Sequence, residues 1–328
     1  MSKQKKRFSA WNVLWILPLA LILALAVMMY VIPAFEKVDK TPVRGASDWM
    51  KALPDDMPLT EVTLPGTHDS ATEYVQLAFF SKCQALDIRG QLEAGYRYLD
   101  IRLSDGEGMP LMHGFTNCTV NGWPWAKTLY LESVLENCYA FLEENPTETV
   151  LFCVKHEHGD ASDSDFADAL GRFVEQKPDL WYRGETIPTV GEARGKLVLL
   201  KRFEDTDNKL PGVTFIWADQ GGYSVPLLNS EINENPGFGL LVQDRFEYDA
   251  DEKWAAFLAG MAEETTDPTV GLSFLSTKGH AKYGHPYGFA RKLNNKLADA
   301  PDAVFNGWII VDFGSARLAE HIYSANFN

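Results

Sequence analysis

The stretch "YRYLDIRL", residues 96–103, decides the fold class of this 328-residue chain. Apolar residues alternate with Asp100 and Arg102, and this period of two is typical of a half-buried β-strand. Alternate side chains of a strand point to opposite faces, so Asp100 and Arg102 share one face. The strand is apolar until its carboxyl end and then presents charge, which favours a site at that edge of a sheet.

Short strand patterns of this kind alternate with helix patterns along the chain. The alternation favours an α/β fold with a mainly parallel sheet. Eight strand candidates over about 290 residues suit a (β/α)8 TIM barrel, in which active sites lie at the carboxyl ends of the strands. A doubly wound open sheet is the alternative. The candidates are "LTEVTL", "YRYLDIRL", "MPLMH", "TVLFCVKHE", "KLVLLKRF", "GLLVQDRF", "VGLSFLS" and "GWIIVDF".

The first 34 residues have a different composition from the rest. Residues 1–10 carry four basic side chains, and residues 11–34 are almost wholly apolar and long enough to cross a bilayer. The basic flank predicts a cytoplasmic tail, a single-pass signal-anchor and an extracellular domain at the cell membrane. Residues 35–48 are predicted to be a linker and residues 49–328 the barrel. A cleaved signal peptide is the alternative, although small residues at a cleavage position after the apolar run are lacking.

Charge and cysteine content restrict the partners and the chemistry. The net charge is −15, and −19 without residues 1–35, which excludes nucleic acid as an expected partner. In an oxidising compartment the four cysteines could form disulfides. Cys83 and Cys118 fall in loops and are the favoured pair, whereas Cys138 and Cys153 fall on apolar patterns and are expected to be buried thiols.

A second stretch, "LPGTHDSAT" at residues 64–72, ends the first strand pattern with a Pro-Gly pair followed by His68 and Asp69. We interpret Pro-Gly as a turn that presents these two side chains. Two histidines and an arginine suit phosphoryl transfer, with one histidine taking a proton and the other giving one. The side chains that follow predicted strands are His68, Asp69, Arg102, His113, Lys155, Glu157, Arg202, Asp244 and Asp312.

Two other chemistries fit the sequence less well. His156 and His158 have a spacing compatible with zinc, but alternation points them away from Lys155 and Glu157, and nearby cations disfavour a metal. Ser70 lacks the G-x-S-x-G elbow of a serine hydrolase. No metal and no other cofactor is predicted.

Taken in order, seven motifs resemble the bacterial phosphatidylinositol-specific phospholipase C family, from about Trp49 to about Tyr323. The resemblance implies a distorted TIM barrel of the X-domain type. It also implies cleavage of phosphatidylinositol, or a glycosylated form of it, to diacylglycerol and inositol 1,2-cyclic phosphate without a metal. The motifs are "LPGTHDSAT", "QLEAGYRYLDIRL", "LMHGF", "NPTETVLFCVKHE", "ARGKLVLLKRF", "LLVQDRF" and "GWIIVDF".

The resemblance also implies a role for each matching residue. His68 matches the general base with Asp312 as its partner, and His113 matches the general acid with Asp69 as its partner. Arg102 matches the phosphate-binding residue. The implied substrate-binding and supporting residues are Lys155, Glu157, Arg202, Asp244, Phe246 and Asp100.

Two departures accompany the resemblance. Phe246 stands where better-known members have a tyrosine, and those members are secreted freely.

The partner implied is a phosphatidylinositol-containing membrane, and the oligomeric state stays open. A calcium-dependent phosphodiesterase and a non-catalytic inositol-lipid binder are the alternative functions. The candidate membrane contacts are Phe79, Phe80, Trp123 and Trp125, with Tyr283 and Tyr287.

Overall fold

The computed structural model describes residues 10–205, 207, 209–221, 229–232, 238–263, 265, 267–301 and 304–327. The strands are β1 (Leu64–Thr67), β2 (Tyr98–Ser104), β3 (Met112–His113), β4 (Thr116–Asn117), β5 (Val150–His158), β6 (Leu197–Arg202), β7 (Val213–Thr214), β8 (Asn229–Ile232), β9 (Gly239–Gln243), β10 (Thr269–Phe274) and β11 (Trp308–Val311). The α-helices are α1 (Ala10–Ala26), α2 (Ile32–Ala34), α3 (Ala78–Ser81), α4 (Ile88–Glu93), α5 (Leu131–Glu144), α6 (Asp163–Val174), α7 (Val190–Ala193), α8 (Ala250–Met261), α9 (Pro286–Ala298) and α10 (Ala316–Tyr323).

Among the described residues, nine strands form one sheet in the order β7-β6-β5-β2-β1-β11-β10-β9-β8. The strands from β7 to β9 are parallel, and β8 pairs with β9 in the antiparallel sense. Chain order runs round the sheet without the reversal that a doubly wound sheet contains. The prediction of a distorted (β/α)8 barrel is therefore confirmed, as an incompletely closed form.

Two strand predictions were wrong in extent, and short strands were missed. The segment "LTEVTL" begins as a 3₁₀ turn at Leu59–Glu61, and the strand begins only at Leu64. The predicted strand "MPLMH" contributes only the small β3–β4 hairpin, which lies outside the barrel sheet. The short strand β7 was missed because its two paired residues carry too little pattern to detect.

The Pro-Gly pair at residues 65–66 is not a turn but the middle of β1. A Cβ at Gly66 would lie 2.4 Å from Ile310 Cδ1 and 2.7 Å from Tyr98 Cβ, so only glycine fits between β11 and β2. The turn follows at Asp69, which takes a left-handed conformation with φ 47°. Aspartate tolerates this region better than most residues, and the strand end is thereby redirected toward the site.

The alternation read from the sequence divides the core into two layers. Tyr98, Cys153 and Leu200 belong to the cluster inside the barrel, whereas Leu99, Phe152 and other residues of the opposite faces pack outward with α5 and α6. Asp100 and Arg102 continue the inward face of β2. The charged ends of the strands therefore converge above the apolar interior.

All four cysteines are buried free thiols, so the favoured pairing of Cys83 with Cys118 is not formed. Cys138 lies on the buried face of α5 in the outer layer, and Cys153 lies in the interior. Burial raises the pKa of the Cys153 thiol to about 12.

The amino-terminal segment forms an apolar helix apart from the barrel. Helix α1 continues through a π-helical turn at Val27–Val31 into α2. The stretch Leu14–Ala34 is long and apolar enough to cross a membrane, and its most apolar 18-residue window has a mean hydropathy of 2.6 and no buried residue. Near the end of the stretch, Pro33 is buried. By length and composition it fits a signal-anchor or a signal peptide.

Candidate active site

A cleft of about 450 Å³ opens at the carboxyl ends of the barrel strands. This is the face at which TIM barrels carry their catalytic groups. Strand register explains part of its lining, because Arg102 pairs with Lys155 and Lys155 with Arg202 across β2, β5 and β6. The predicted residues that line the cleft are His68, Phe80, Arg102, His113, Lys155, Arg202, Asp244, Phe246 and Asp312.

His68 follows β1 and is held by two partners of opposite charge. Its Nδ1 lies 2.8 Å from Asp312 Oδ1, and its Nε2 lies 2.8 Å from Arg102 Nη2. A guanidinium only donates, so Nε2 must accept and the proton of the neutral ring is assigned to Nδ1, which donates to Asp312. The basic nitrogen, Nε2, therefore faces Arg102 at the cleft.

The charge on His68 is governed by competing effects. Burial lowers the pKa of the imidazole, and so does the positive charge of Arg102. The Asp312 carboxylate, which is almost fully buried, outweighs them and raises the pKa of His68 above its usual 6.5. His68 is thus a base strengthened by its carboxylate partner.

His113, at the end of β3, forms the second histidine–carboxylate pair. Its Nδ1 contacts Asp69 Oδ2, and Asp69 is only 1% exposed. Since Nδ1 faces the carboxylate, Nε2 is the nitrogen left to act on a bound molecule. The more exposed ring of His113 stands at the cleft wall, where it can give a proton to a leaving group.

Arg102 stands between the two pairs and is enclosed by carboxylates. Its Nε and Nη2 donate to Asp100 Oδ2 at 3.1 and 3.0 Å, and Nη1 donates to Glu157 Oε1 at 3.4 Å. Asp69 Oδ2 lies 3.7 Å from Nε. Burial lowers the pKa of Arg102, but the three carboxylates outweigh it and hold the guanidinium charged. Its orientation is fixed before any substrate arrives.

The two supporting carboxylates are correspondingly acidic. Burial would raise the pKa of Asp100 and Glu157, but the positive charge of Arg102 reverses that effect in both. The pKa of Asp100 is well below its usual range and that of Glu157 falls to about 2. Lys155 Nζ lies 2.6 Å from Glu157 Oε2, so the Glu157 carboxylate lies between Lys155 and Arg102 and contacts both.

The opposite wall combines a cation, an aromatic ring and a carboxylate. The Arg202 guanidinium carbon lies 3.6 Å from the centroid of the Trp217 ring. Trp217 Nε1 donates to Asp244 Oδ2 at 3.2 Å, and Arg202 Nη2 lies 3.7 Å from the same oxygen. Phe246 adds an apolar face beside this group. The wall offers hydrogen-bonding groups to a polyhydroxylated ring together with an aromatic surface.

Four of the candidate membrane contacts, Phe79, Phe80, Trp123 and Trp125, occupy different positions. Phe80 lines the cleft, whereas Phe79 stacks on the His285 ring with centroids 4.2 Å apart. Trp123 and Trp125 are 64% and 79% exposed and stack on each other at 5.7 Å. Large exposed aromatic pairs of this kind mark interaction surfaces.

Sequence reasoning missed several residues of the cleft, among them Trp217, Lys278 and Cys83. Trp217 lies just beyond the undetected strand β7, and Lys278 follows β10 with its amine 5.4 Å from the Phe246 ring centroid. Cys83, assigned above to a disulfide, lies 3.9 Å from His113 Nδ1 through its sulfur. Trp217 and Lys278 could have been found by looking for an aromatic or positively charged residue after each strand. Nothing in the sequence marks Cys83.

Metal-compatible groupings within the described residues all involve side chains that already have partners. Cys83 lies near both histidine–aspartate pairs, and a third grouping consists of Asp249, Glu252 and His280 on the surface. His156, considered above for zinc, is on the outer face, where it stacks on Phe166 and lies 3.2 Å from Asp163. The guanidinium of Arg102 beside the two histidine–aspartate pairs disfavours a cation there.

Comparison with known proteins agrees with this geometry. The family model for "Phosphatidylinositol-specific phospholipase C, X domain" matches residues 56–203. The chain is 26% identical over 310 residues to the 1-phosphatidylinositol phosphodiesterase of Staphylococcus aureus strain Newman, covering 85% of this chain and 91% of that protein. It is 33% identical over 165 residues to the protein of the same name from Listeria monocytogenes, covering 46% of this chain and 47% of that one.

Solved structures match the whole barrel. A mutant of the phosphatidylinositol-specific phospholipase C of S. aureus superposes with a TM-score of 0.72 at 24% identity, covering 86% of this chain and 98% of that one. The L. monocytogenes enzyme superposes with a TM-score of 0.64 at 22% identity over 86% and 98% of the two chains. The X-domain match covers the segment that carries Asp69, Arg102 and His113, and the resemblance to the bacterial phosphatidylinositol-specific phospholipase C family is confirmed.

Proposed function

We propose that this protein is a metal-independent phospholipase C that cleaves phosphatidylinositol, or a glycosylated form of it, to diacylglycerol and inositol 1,2-cyclic phosphate. The observation that carries the proposal is the pair of histidine–carboxylate couples facing one cleft on either side of a fixed guanidinium. General acid–base transfer to and from a phosphodiester needs this arrangement of groups. The names of the bacterial relatives supply the substrate class.

In the proposed step the inositol 2-hydroxyl oxygen attacks phosphorus and passes its proton to His68 Nε2. The bond from phosphorus to the glycerol oxygen breaks, and His113 Nε2–H protonates that oxygen as diacylglycerol leaves. Arg102 donates hydrogen bonds to the phosphate oxygens, on which negative charge develops. In that complex, Arg102 Nη2 would exchange its contact with His68 for one with phosphate, which releases Nε2 to act as the base.

The remaining cleft residues are assigned to the inositol ring. Lys155, Arg202 and Asp244 can bond its hydroxyls, and Phe246 can pack against a ring face. Asp100 and Glu157 act through Arg102 and Lys155, which they contact directly. Free phosphatidylinositol and a glycosylated anchor present the same inositol phosphate to this wall.

We assign the apolar stretch Leu14–Ala34 to a single-pass anchor that holds the barrel outside the cell membrane. The basic residues before it support this topology. The exposed pair Trp123 and Trp125 is suited to the interface between lipid and water, where amphipathic aromatic rings are enriched.

Two alternatives predict different products and requirements. A calcium-dependent enzyme on the same barrel would need a metal beside the phosphate, and a non-catalytic binder would give no product. Incubating the protein with phosphatidylinositol vesicles and following phosphorus NMR separates them. A cyclic phosphodiester resonance formed in the presence of EDTA supports the proposal; formation only with calcium, or no turnover, contradicts it.

The pH dependence of activity tests the assignment of His68. As a base, His68 must be neutral, and Asp312 raises its pKa, so the acid limb of kcat/KM should lie above pH 6.5. In Asp312→Asn the carboxylate charge is lost while burial and Arg102 still lower the pKa. The acid limb should therefore move to lower pH while the rate itself falls. An acid limb that stays in place in Asp312→Asn would contradict the pairing.

A further inference from the structure

The chain that follows the predicted anchor is attached to the barrel instead of forming a free tether. Glu36 is only 3% exposed, and its Oε1 lies 2.6 Å from His285 Nε2. Lys82 Nζ donates to the carbonyl oxygen of Pro33 at 3.0 Å, and Tyr287 donates to the carbonyl of Lys37 at 3.2 Å. A buried carboxylate without a partner is costly, so these contacts fix where the helix leaves the barrel.

The attachment points adjoin the mouth of the catalytic cleft. Lys82 directly precedes Cys83 and His285 directly precedes Pro286, and both of these neighbours line the cleft. Helix α3 packs against the end of the anchor and also supplies Phe80 to the cleft wall. The anchor therefore ends beside the opening into which a substrate must pass.

The exposed tryptophan loop lies on the same side. A second cavity, of about 530 Å³, is lined by Tyr30 and Pro33 from the apolar helix and its end, and by Tyr74 and Trp123 from the barrel. Trp125 stacks on Trp123. The end of the anchor, the aromatic loop and the cleft mouth thus form one continuous face.

From this placement we propose that the enzyme acts on the membrane that holds its own anchor: the bilayer around Leu14–Ala34 is the surface against which the cleft mouth and the Trp123–Trp125 pair lie. The inference rests on the proposed function and adds the location of the substrate. A free segment of residues 35–48 could extend roughly 46–50 Å and let the barrel turn toward another membrane. Docking through Glu36 and Lys82 removes that freedom.

The test compares lipids in the same vesicle with lipids in a different one. The full chain is reconstituted either into vesicles containing phosphatidylinositol or into phosphatidylcholine vesicles that are then mixed with enzyme-free phosphatidylinositol vesicles. Because the anchor holds the enzyme on the vesicle, its encounter with lipid of that vesicle is effectively intramolecular. Hydrolysis in the same vesicle should therefore exceed hydrolysis between vesicles by about 10²-fold, and it should be insensitive to dilution of the vesicles. Equal rates at matched lipid concentration would overturn the inference.

Variants test whether the docked contacts cause this preference. In the double variant Lys82→Ala, His285→Ala the ratio of same-vesicle to between-vesicle hydrolysis should fall several-fold. In His280→Ala, which removes a surface ion pair with Glu252 in the same loop, the ratio should be unchanged. A ratio unaffected by the double variant would show that the anchor alone, without docking, sets the preference, and would contradict the proposal.

A readout independent of turnover separates this inference from the proposed function. The native thiols are buried, so Trp125→Cys can be labelled selectively with an environment-sensitive fluorophore. In phosphatidylcholine vesicles the label should be quenched by brominated lipid of the same vesicle, and a label that stays in water contradicts the inference. Absence of turnover on detergent-dispersed phosphatidylinositol would contradict only the proposed function.

Discussion

Replacing His113 with alanine is expected to lower kcat on phosphatidylinositol by about 10²–10⁴-fold, the usual loss for one general acid–base partner. The ring contacts Asp69 through Nδ1 and leaves Nε2 for the leaving glycerol oxygen. Removal of the ring leaves that oxygen to depart unprotonated. The fold should survive because the side chain stands at the cleft wall and not in the core. The measurement is a vesicle assay with circular dichroism of the same sample.

The outer-face histidine His158 provides a matched control, since it is exposed at the end of β5 and outside the cleft. His158→Ala should keep parent activity. A substrate with a more acidic leaving group should recover much of the rate in His113→Ala, because such a group needs no proton. Near-normal turnover of phosphatidylinositol by His113→Ala would remove His113 from the acid role.

The converging site could be predicted from the sequence because alternation is a local property. On β2 and β5, the period of two that put Asp100, Arg102, Lys155 and Glu157 on the inward face is the geometry of the strand itself. Parallel register then sets Arg102 against Lys155. Such residues can be placed without knowledge of the rest of the fold.

Other parts of the site depend on contacts between distant segments. The Pro-Gly pair by itself predicts a turn. In the structure, Gly66 lacks a side chain because β1 packs closely between its neighbouring strands. Cys83 reaches His113 through a loop after a four-residue helix, and no periodicity predicts that approach. Likewise, the contact between Glu36 and His285 joins residues 249 positions apart. The composition of residues 35–48 alone predicts only a linker.

Arg102→Lys should lower kcat by about 10²–10³-fold although the positive charge is kept, comparable to the loss of one fixed donor to a developing oxyanion. The guanidinium can contact phosphate through two parallel hydrogen bonds while Asp100 and Glu157 hold its orientation, whereas one ammonium has neither this geometry nor these contacts. Arg89→Lys, at a surface arginine paired with Glu93 and Glu144, is the matched control and should retain parent activity.

Since Arg102 supplies the positive charge at the phosphate, parent activity should also be undiminished by EDTA. Activity that EDTA abolishes and calcium restores would transfer the role of Arg102 to a metal and favour the calcium-dependent alternative.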